Sequence, residues 1–218
     1  MSAPLLELRD LAFGYSGRES ILRGASLVLA AGDRVGLTGS NGAGKSTLLH
    51  LAVGLFKPQS GDVLVEGRVC RSESDFTAAR QLIGLLFQNS DDQLFCTTVE
   101  EDLAFGPFNL GLERPEVGRR VRDTLNQLGI TSLAARITYR LSEGEKRLVA
   151  LGTLLTMNPR LLLLDEPTNG LDESARARLI EILSGLPAAM LIATHDTGLL
   201  RALARRQVHL ADGRIEAA

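Results

Sequence analysis

The run Gly39-Ser40-Asn41-Gly42-Ala43-Gly44-Lys45-Ser46-Thr47 fits the spacing G-x-x-x-x-G-K-[ST], a phosphate-binding pattern that works only between the end of a strand and the start of a helix. The flanks supply both. Val35-Gly36-Leu37 reads as the strand leading in, and Leu48, Leu49, Leu51 and Ala52 read as the buried face of the helix leading out. Glycines let successive backbone N–H groups turn inward around phosphates, and the positive end of the following helix adds to the attraction. Lys45 is the residue expected to reach the β- and γ-phosphates, and the Ser46 hydroxyl is expected to ligate Mg²⁺. The plain alternative is a Gly-rich turn beside a surface lysine, which the strand–loop–helix context disfavours. The run therefore predicts an α/β core that binds a nucleoside triphosphate.

Before the loop and shortly after it, β-like segments alternate with turn signals: Leu5–Leu8, Leu11–Tyr15, Ser26–Leu29, Arg34–Leu37 and Asp62–Val65. They suggest an antiparallel lobe feeding the loop. From about Phe76 to Met157 the pattern turns helical, with interruptions expected at Gly106-Pro107, Gly111 and Arg114-Pro115; Val121, Leu125 and Leu128 have amphipathic spacing. Two apolar runs, Leu161–Leu164 and Met190–Ala193, read as buried parallel strands. The expectation is one domain over residues 1–218, with a helical lobe at about 90–158 inserted in the core.

The second of these regions carries the other half of a site. Leu161-Leu162-Leu163-Leu164-Asp165-Glu166 is an apolar strand ending in two carboxylates, at the edge where open α/β sheets place ligands. Asp165 is a candidate to hold Mg²⁺ through its hydration shell, and Glu166 a candidate general base for an attacking water. Alone, Asp-Glu-Pro-Thr could be an ordinary strand exit; beside a phosphate loop that reading loses its force. His195 ends the strand Met190–Thr194 and is a candidate γ-phosphate contact, whereas His50 and His209 read as structural. Gln88, after the apolar Ile83–Phe87, could touch both Mg²⁺ and the water.

Composition limits the rest. Twenty-four Lys and Arg against 26 Asp and Glu leave a net charge of −2, so no field points to nucleic acid. Cys70 and Cys96 lack metal-ligand spacing. No apolar run approaches the ~18 residues needed to span a bilayer, so a membrane role is expected to come through a partner.

Leu141-Ser142-Glu143-Gly144-Glu145 resembles the L-S-G-G-Q signature of ABC ATPases, and the motifs follow in that family's order: Tyr15, the phosphate loop, Gln88, the signature, Asp165-Glu166, Asn169-Gly170-Leu171-Asp172 and His195. The resemblance runs from Leu5 to Gly213. It implies a P-loop, ABC-type nucleotide-binding fold with a mostly parallel core sheet, an antiparallel β lobe and a helical lobe, and Mg²⁺ acting with ATP. It also implies head-to-tail pairs, expected here as a homodimer, in which Ser142 and Gly144 of one subunit close over the phosphate held by Lys45 of the other. Tyr15 would stack on adenine and Asp172 would lie at the dimer contact. Glu143 and Glu145 depart from the signature's glycine and glutamine.

Phe87-Gln88-Asn89-Ser90-Asp91-Asp92-Gln93-Leu94-Phe95 and Thr98–Pro107 look like the ATPases of energy-coupling-factor importers, most closely the cobalt and nickel type. The resemblance implies a peripheral subunit on the cytoplasmic face of the membrane, bound to integral membrane subunits, with Leu94 and Phe95 as apolar partner contacts. A vitamin importer is the near alternative. A soluble ABC protein acting on DNA or ribosomes is the distant one, and the near-neutral charge argues against it.

Overall fold

A computed structural model describes residues 3–17 and 19–217 of the chain. The chain divides into two units. The first holds the residues up to Leu85, Arg160–Glu166 and those from Pro187 on; the second holds Leu86–Pro159 and Pro167–Leu186.

The first unit contains two sheets. Strands β1 (Leu6–Phe13), β2 (Leu22–Leu29), β4 (Ser60–Val65) and β5 (Arg68–Cys70) form an antiparallel sheet in the order β2-β1-β4-β5. Strand β3 (Arg34–Thr38) leads into helix α1 (Lys45–Ala52) and lies in the other sheet. That sheet has the order β10-β9-β3-β8-β7-β6, with β6 (Ile83–Leu86), β7 (Leu161–Asp165), β8 (Ala189–Ala193), β9 (Arg206–Ala211) and β10 (Arg214–Ala217). The ladders β9–β3, β3–β8 and β8–β7 are parallel and β10–β9 is antiparallel, so the core sheet is mostly parallel, as expected. Every residue of β7 and β8 is buried, which is why both read as unbroken apolar runs. Each leucine so placed contributes roughly 1.5–3 kcal/mol. Helices α2 (Glu73–Leu82) and α7 (Thr197–Leu203) complete this unit.

In the second unit, helices α3 (Val99–Asn109), α4 (Arg114–Leu128) and α5 (Glu143–Leu155) pack on one another, and α6 (Glu173–Gly185) follows β7 in sequence. Gly152 of α5 makes the approach possible: a Cβ there would lie 3.0 Å from Leu128 and 3.4 Å from Leu103.

The structure corrects several expected boundaries. The expected segments Leu5–Leu8 and Leu11–Tyr15 merge into one strand, β1 (Leu6–Phe13), with Leu5, Gly14 and Tyr15 outside it; it is bent by a bulge where Asp10 takes a positive φ of 46° and its N–H is satisfied by Ser26 Oγ at 2.9 Å. Helix α3 runs through Gly106-Pro107 without a break. Pro107 lies close enough to the C-terminal end that the chain loses one hydrogen bond there and still closes the last turn through Leu110 N to Gly106 O. Strand β6 stops at Leu86, leaving Gln88 two residues beyond it. Strands β5, β9 and β10 are additional to the segments that the sequence pattern predicts.

Candidate functional site

The loop between β3 and α1 has the backbone that its glycines permit. Gly39, Gly42 and Gly44 have φ values of 150°, 79° and 105°. At Gly39 space forbids a side chain as well, because a Cβ would lie 2.6 Å from the Leu210 carbonyl oxygen. We expect Gly39→Ala to cost about 1–3 kcal/mol, visible as a lowered thermal midpoint. An unchanged midpoint would show that the loop tolerates another path.

Lys45 opens α1 and is 7% exposed. Its ammonium donates to the carbonyls of Gly39 (2.8 Å) and Ser40 (3.2 Å) and lies 2.9 Å from His195 Nε2. Burial lowers its pKa from the ordinary lysine value, and the charges of Glu166 and Asp165 oppose that shift. The ammonium therefore sits folded back over the loop, where a phosphate oxygen can replace one of its acceptors. Thr47, two residues on, is buried and shares a 3.0 Å hydrogen bond with the Tyr15 hydroxyl. The Tyr15 ring is set edge-on to Phe13 and Phe56 at centroid distances of 5.1 and 5.8 Å, so it is fixed beside the loop.

Asp165 closes β7 and is 2% exposed. Burial raises its carboxyl pKa, while a hydrogen bond with Ser46 and the charges of His50 and Lys45 pull it down; Glu166 adds to the rise. Its Oδ1 has no hydrogen-bond partner among the described residues. A buried, unpartnered carboxylate oxygen beside a serine hydroxyl is a hard-oxygen donor set of the kind Mg²⁺ prefers, so the residues fit that ion. His50 packs edge-on against Phe56, and burial lowers its pKa.

Glu166 takes a positive φ of 41°, an uncommon conformation for a residue with a side chain. Its N–H donates to Ala193 O at 2.8 Å, which ties it to the end of β8. Its Oε2 accepts from Thr194 Oγ1 (2.8 Å) and from the His195 N–H (3.3 Å), and its Oε1 lies 3.7 Å from His195 Nε2. Pairing of β7 with β8, Asp165 opposite Ala193, produces this meeting. The first unit thus brings together Tyr15, the loop, Lys45, Ser46, Thr47, Asp165, Glu166 and His195. Sequence reasoning missed Thr194, whose hydroxyl has no sequence signature beyond standing before His195.

The remaining candidates lie in the second unit. Ser142 caps α5: its Oγ accepts from Glu145 N (3.3 Å), and Glu145 Oε2 accepts from Ser142 N (2.8 Å) and Oγ (3.0 Å). Glutamate and glutamine both serve at that third position of the capping box, so Glu145 keeps the helix start intact. The Ser142 backbone hydrogen bond is the main cause that holds the Glu145 carboxyl below the usual range. Glu143 is exposed and pairs with Lys146 at 3.4 Å. At Gly144 a Cβ would stand 3.2 Å from Ala175. Asp172 caps α6 by accepting from Ala175 N at 2.8 Å.

Gln88 is held through its backbone: Arg147 donates to the carbonyls of Phe87 (2.6 Å) and Gln88 (2.5 Å). Downstream, Asp91 pairs with the buried Lys146 at 2.7 Å, and Asp102 Oδ1 accepts from the N–H groups of Phe95 and Cys96. These anchors fix the loop while Phe95 stays 65% exposed, its ring edge-on to Phe105 at 4.7 Å. Leu94 is half-buried, and Phe108, one turn from Phe105, is exposed.

The family described as ABC transporter matches residues 22–169. A putative ABC transporter ATP-binding protein of Nitratidesulfovibrio vulgaris is 52% identical over 198 residues, 90% of this chain and 72% of the relative. A cobalt import ATP-binding protein, CbiO, of Rhodobacter capsulatus is 43% identical over 97% of this chain and 77% of its own length. Among solved structures, cbiO1 of Clostridium perfringens, part of the ABC transporter complex cbiONQ, superposes with a TM-score of 0.86 at 33% identity, covering 98% of this chain and 87% of that one. With a phosphate loop, a strand-end carboxylate pair and a capped signature helix in the matching order, this chain belongs to the ABC transporter ATP-binding family.

Proposed function

We propose that this ABC-type ATPase energises a membrane importer of cobalt or nickel ions, of the energy-coupling-factor type. The observation that carries the catalytic part is the convergence of Lys45, Asp165 and Glu166 on one loop. The likeness to a cobalt-import ATP-binding protein over nearly the whole chain supports the cargo.

The loop N–H groups and Lys45 bind the triphosphate, and Tyr15 offers its ring to adenine. Ser46 and Asp165 would hold Mg²⁺, which when bound would supply charge neutralisation to the triphosphate. Water attacks the γ-phosphorus while the bond to the β-bridging oxygen breaks, and ADP leaves. Glu166 Oε2 already accepts two hydrogen bonds, so Oε1 takes the water's proton. His195 orients toward the γ-phosphate. In a head-to-tail homodimer, Ser142 and Gly144 of a second copy close over that phosphate, so binding joins the subunits and hydrolysis releases them.

The exposed Phe95, packed edge-on against Phe105, and the adjacent Leu94 form the apolar contact for a membrane subunit on the cytoplasmic face. Among the described residues no helix is long and apolar enough to cross a membrane. Replacing Leu94 and Phe95 with Ser should leave ATP affinity unchanged and reduce co-purification of the membrane subunits about tenfold, the loss of two buried apolar anchors being worth at least 1.4 kcal/mol. Undiminished co-purification would remove this surface from the account.

A further inference from the structure

Beyond the residues already assigned, we propose that Thr194 is a positioning residue for the hydrolytic carboxylate: its hydroxyl fixes the rotamer of Glu166 so that Oε1 faces the water. The inference rests on the reading of Glu166 as the general base.

Thr194 directly follows β8 and is completely buried, so its hydroxyl must find partners within the protein. It finds two, of opposite sense. The Asp196 N–H donates to Thr194 Oγ1 at 3.1 Å, and Thr194 Oγ1 donates its proton to Glu166 Oε2 at 2.8 Å. The direction is forced. A backbone N–H can only donate and an ionised carboxylate can only accept, so the hydroxyl sits as a relay between them and each bond polarises the other. A side chain lacking that hydroxyl leaves Glu166 Oε2 with the longer bond from His195 N–H alone.

The relay is anchored at both ends. Asp196 caps α7 through its own carboxylate, which accepts from Leu199 N at 2.9 Å, so the N–H that feeds Thr194 belongs to a fixed helix start. At the other end the Glu166 backbone is tied to Ala193 O. With its main chain held in an uncommon conformation, Glu166 retains side-chain rotation as its remaining freedom. Thr194 removes that freedom. Holding one carboxylate oxygen by two donors leaves the other oxygen directed, and a base must be directed before its basicity counts. Thr194 touches neither water nor nucleotide in this scheme, so its effect reaches turnover and not binding.

The test compares Thr194→Val, Thr194→Ser and Glu166→Gln with the unaltered protein, reading kcat, the KM and Kd for ATP, and the thermal midpoint. Valine keeps the shape and removes the hydroxyl; we expect kcat to fall about tenfold with Kd for ATP within twofold. Serine keeps the hydroxyl and loses a buried methyl, so it should lower the thermal midpoint while holding kcat near the unaltered value. That crossed pattern separates positioning from stability. If valine fails to fold, serine and Thr194→Ala, read against each other, carry the same contrast. Full kcat in Thr194→Val beside an inactive Glu166→Gln overturns the role of Thr194 and leaves the base in place. Full kcat in Glu166→Gln overturns the base itself.

Discussion

Lys45→Ala should weaken ATP binding about 100-fold, measured by titration with the nucleotide. The argument begins with burial. Lys45 is nearly enclosed, and two backbone carbonyls together with the His195 imidazole surround its ammonium. A phosphate oxygen that enters this shell gains a charge-assisted bond in a site from which water is largely excluded, worth about 1.5–3 kcal/mol. Because the lysine is expected to meet both the β- and the γ-phosphate, about 3 kcal/mol, or roughly 100-fold in affinity, is at stake. The backbone cradle survives in the variant, so adenosine binding against the Tyr15 ring should change little. Equal ATP affinity in the variant would mean that the loop's N–H groups do the binding and that Lys45 serves another purpose.

Glu166→Gln should leave ATP affinity within about twofold and lower hydrolysis by roughly 100- to 10,000-fold, the usual contribution of a positioned base. Glutamine keeps the length of the side chain and an oxygen to accept from Thr194 and from the His195 N–H, so the local fold persists. What disappears is the capacity to accept a proton. If binding joins two copies and only hydrolysis parts them, the variant should also accumulate as an ATP-bound dimer, seen as a doubled mass in light scattering. Steady-state hydrolysis at the unaltered rate would exclude Glu166 as the base.

The parts of this fold that were legible in the sequence are those where local pattern and burial agree. Strand β3, its loop and α1 form one contiguous stretch in which the loop glycines Gly39, Gly42 and Gly44 all take a positive φ. Strands β7 and β8 are buried along their whole length, so their unbroken apolar runs left little else for them to be. Strand β9 is different: Arg206, Gln207 and His209 face solvent and only Val208 and Leu210 are buried, and β10 is exposed or half-buried along its length, so neither stands out from a loop. Pro107 and the bulge at Asp10 depart from the sequence expectation for a related reason. A proline near a helix end and an aspartate with positive φ are tolerated by tertiary packing, although the local signal says break.

The site divides in the same way. Lys45, Ser46, Asp165 and Glu166 carry chemistry that their residue types announce. Thr194 does not: serving as a relay depends on an N–H from Asp196 and a carboxylate 28 positions away, a juxtaposition created only when β7 pairs with β8. The signature's departures become intelligible only in the folded chain, where Glu145 fills the capping position and Glu143 remains on the surface.

The most direct measurement is uptake of labelled Co²⁺ and Ni²⁺ by cells carrying either the unaltered protein or Glu166→Gln at matched protein levels. The account predicts that the substitution removes uptake of one of these ions, which would also identify the cargo. Unchanged uptake of both ions, alongside lost ATP hydrolysis by the purified variant, would contradict the proposed importer.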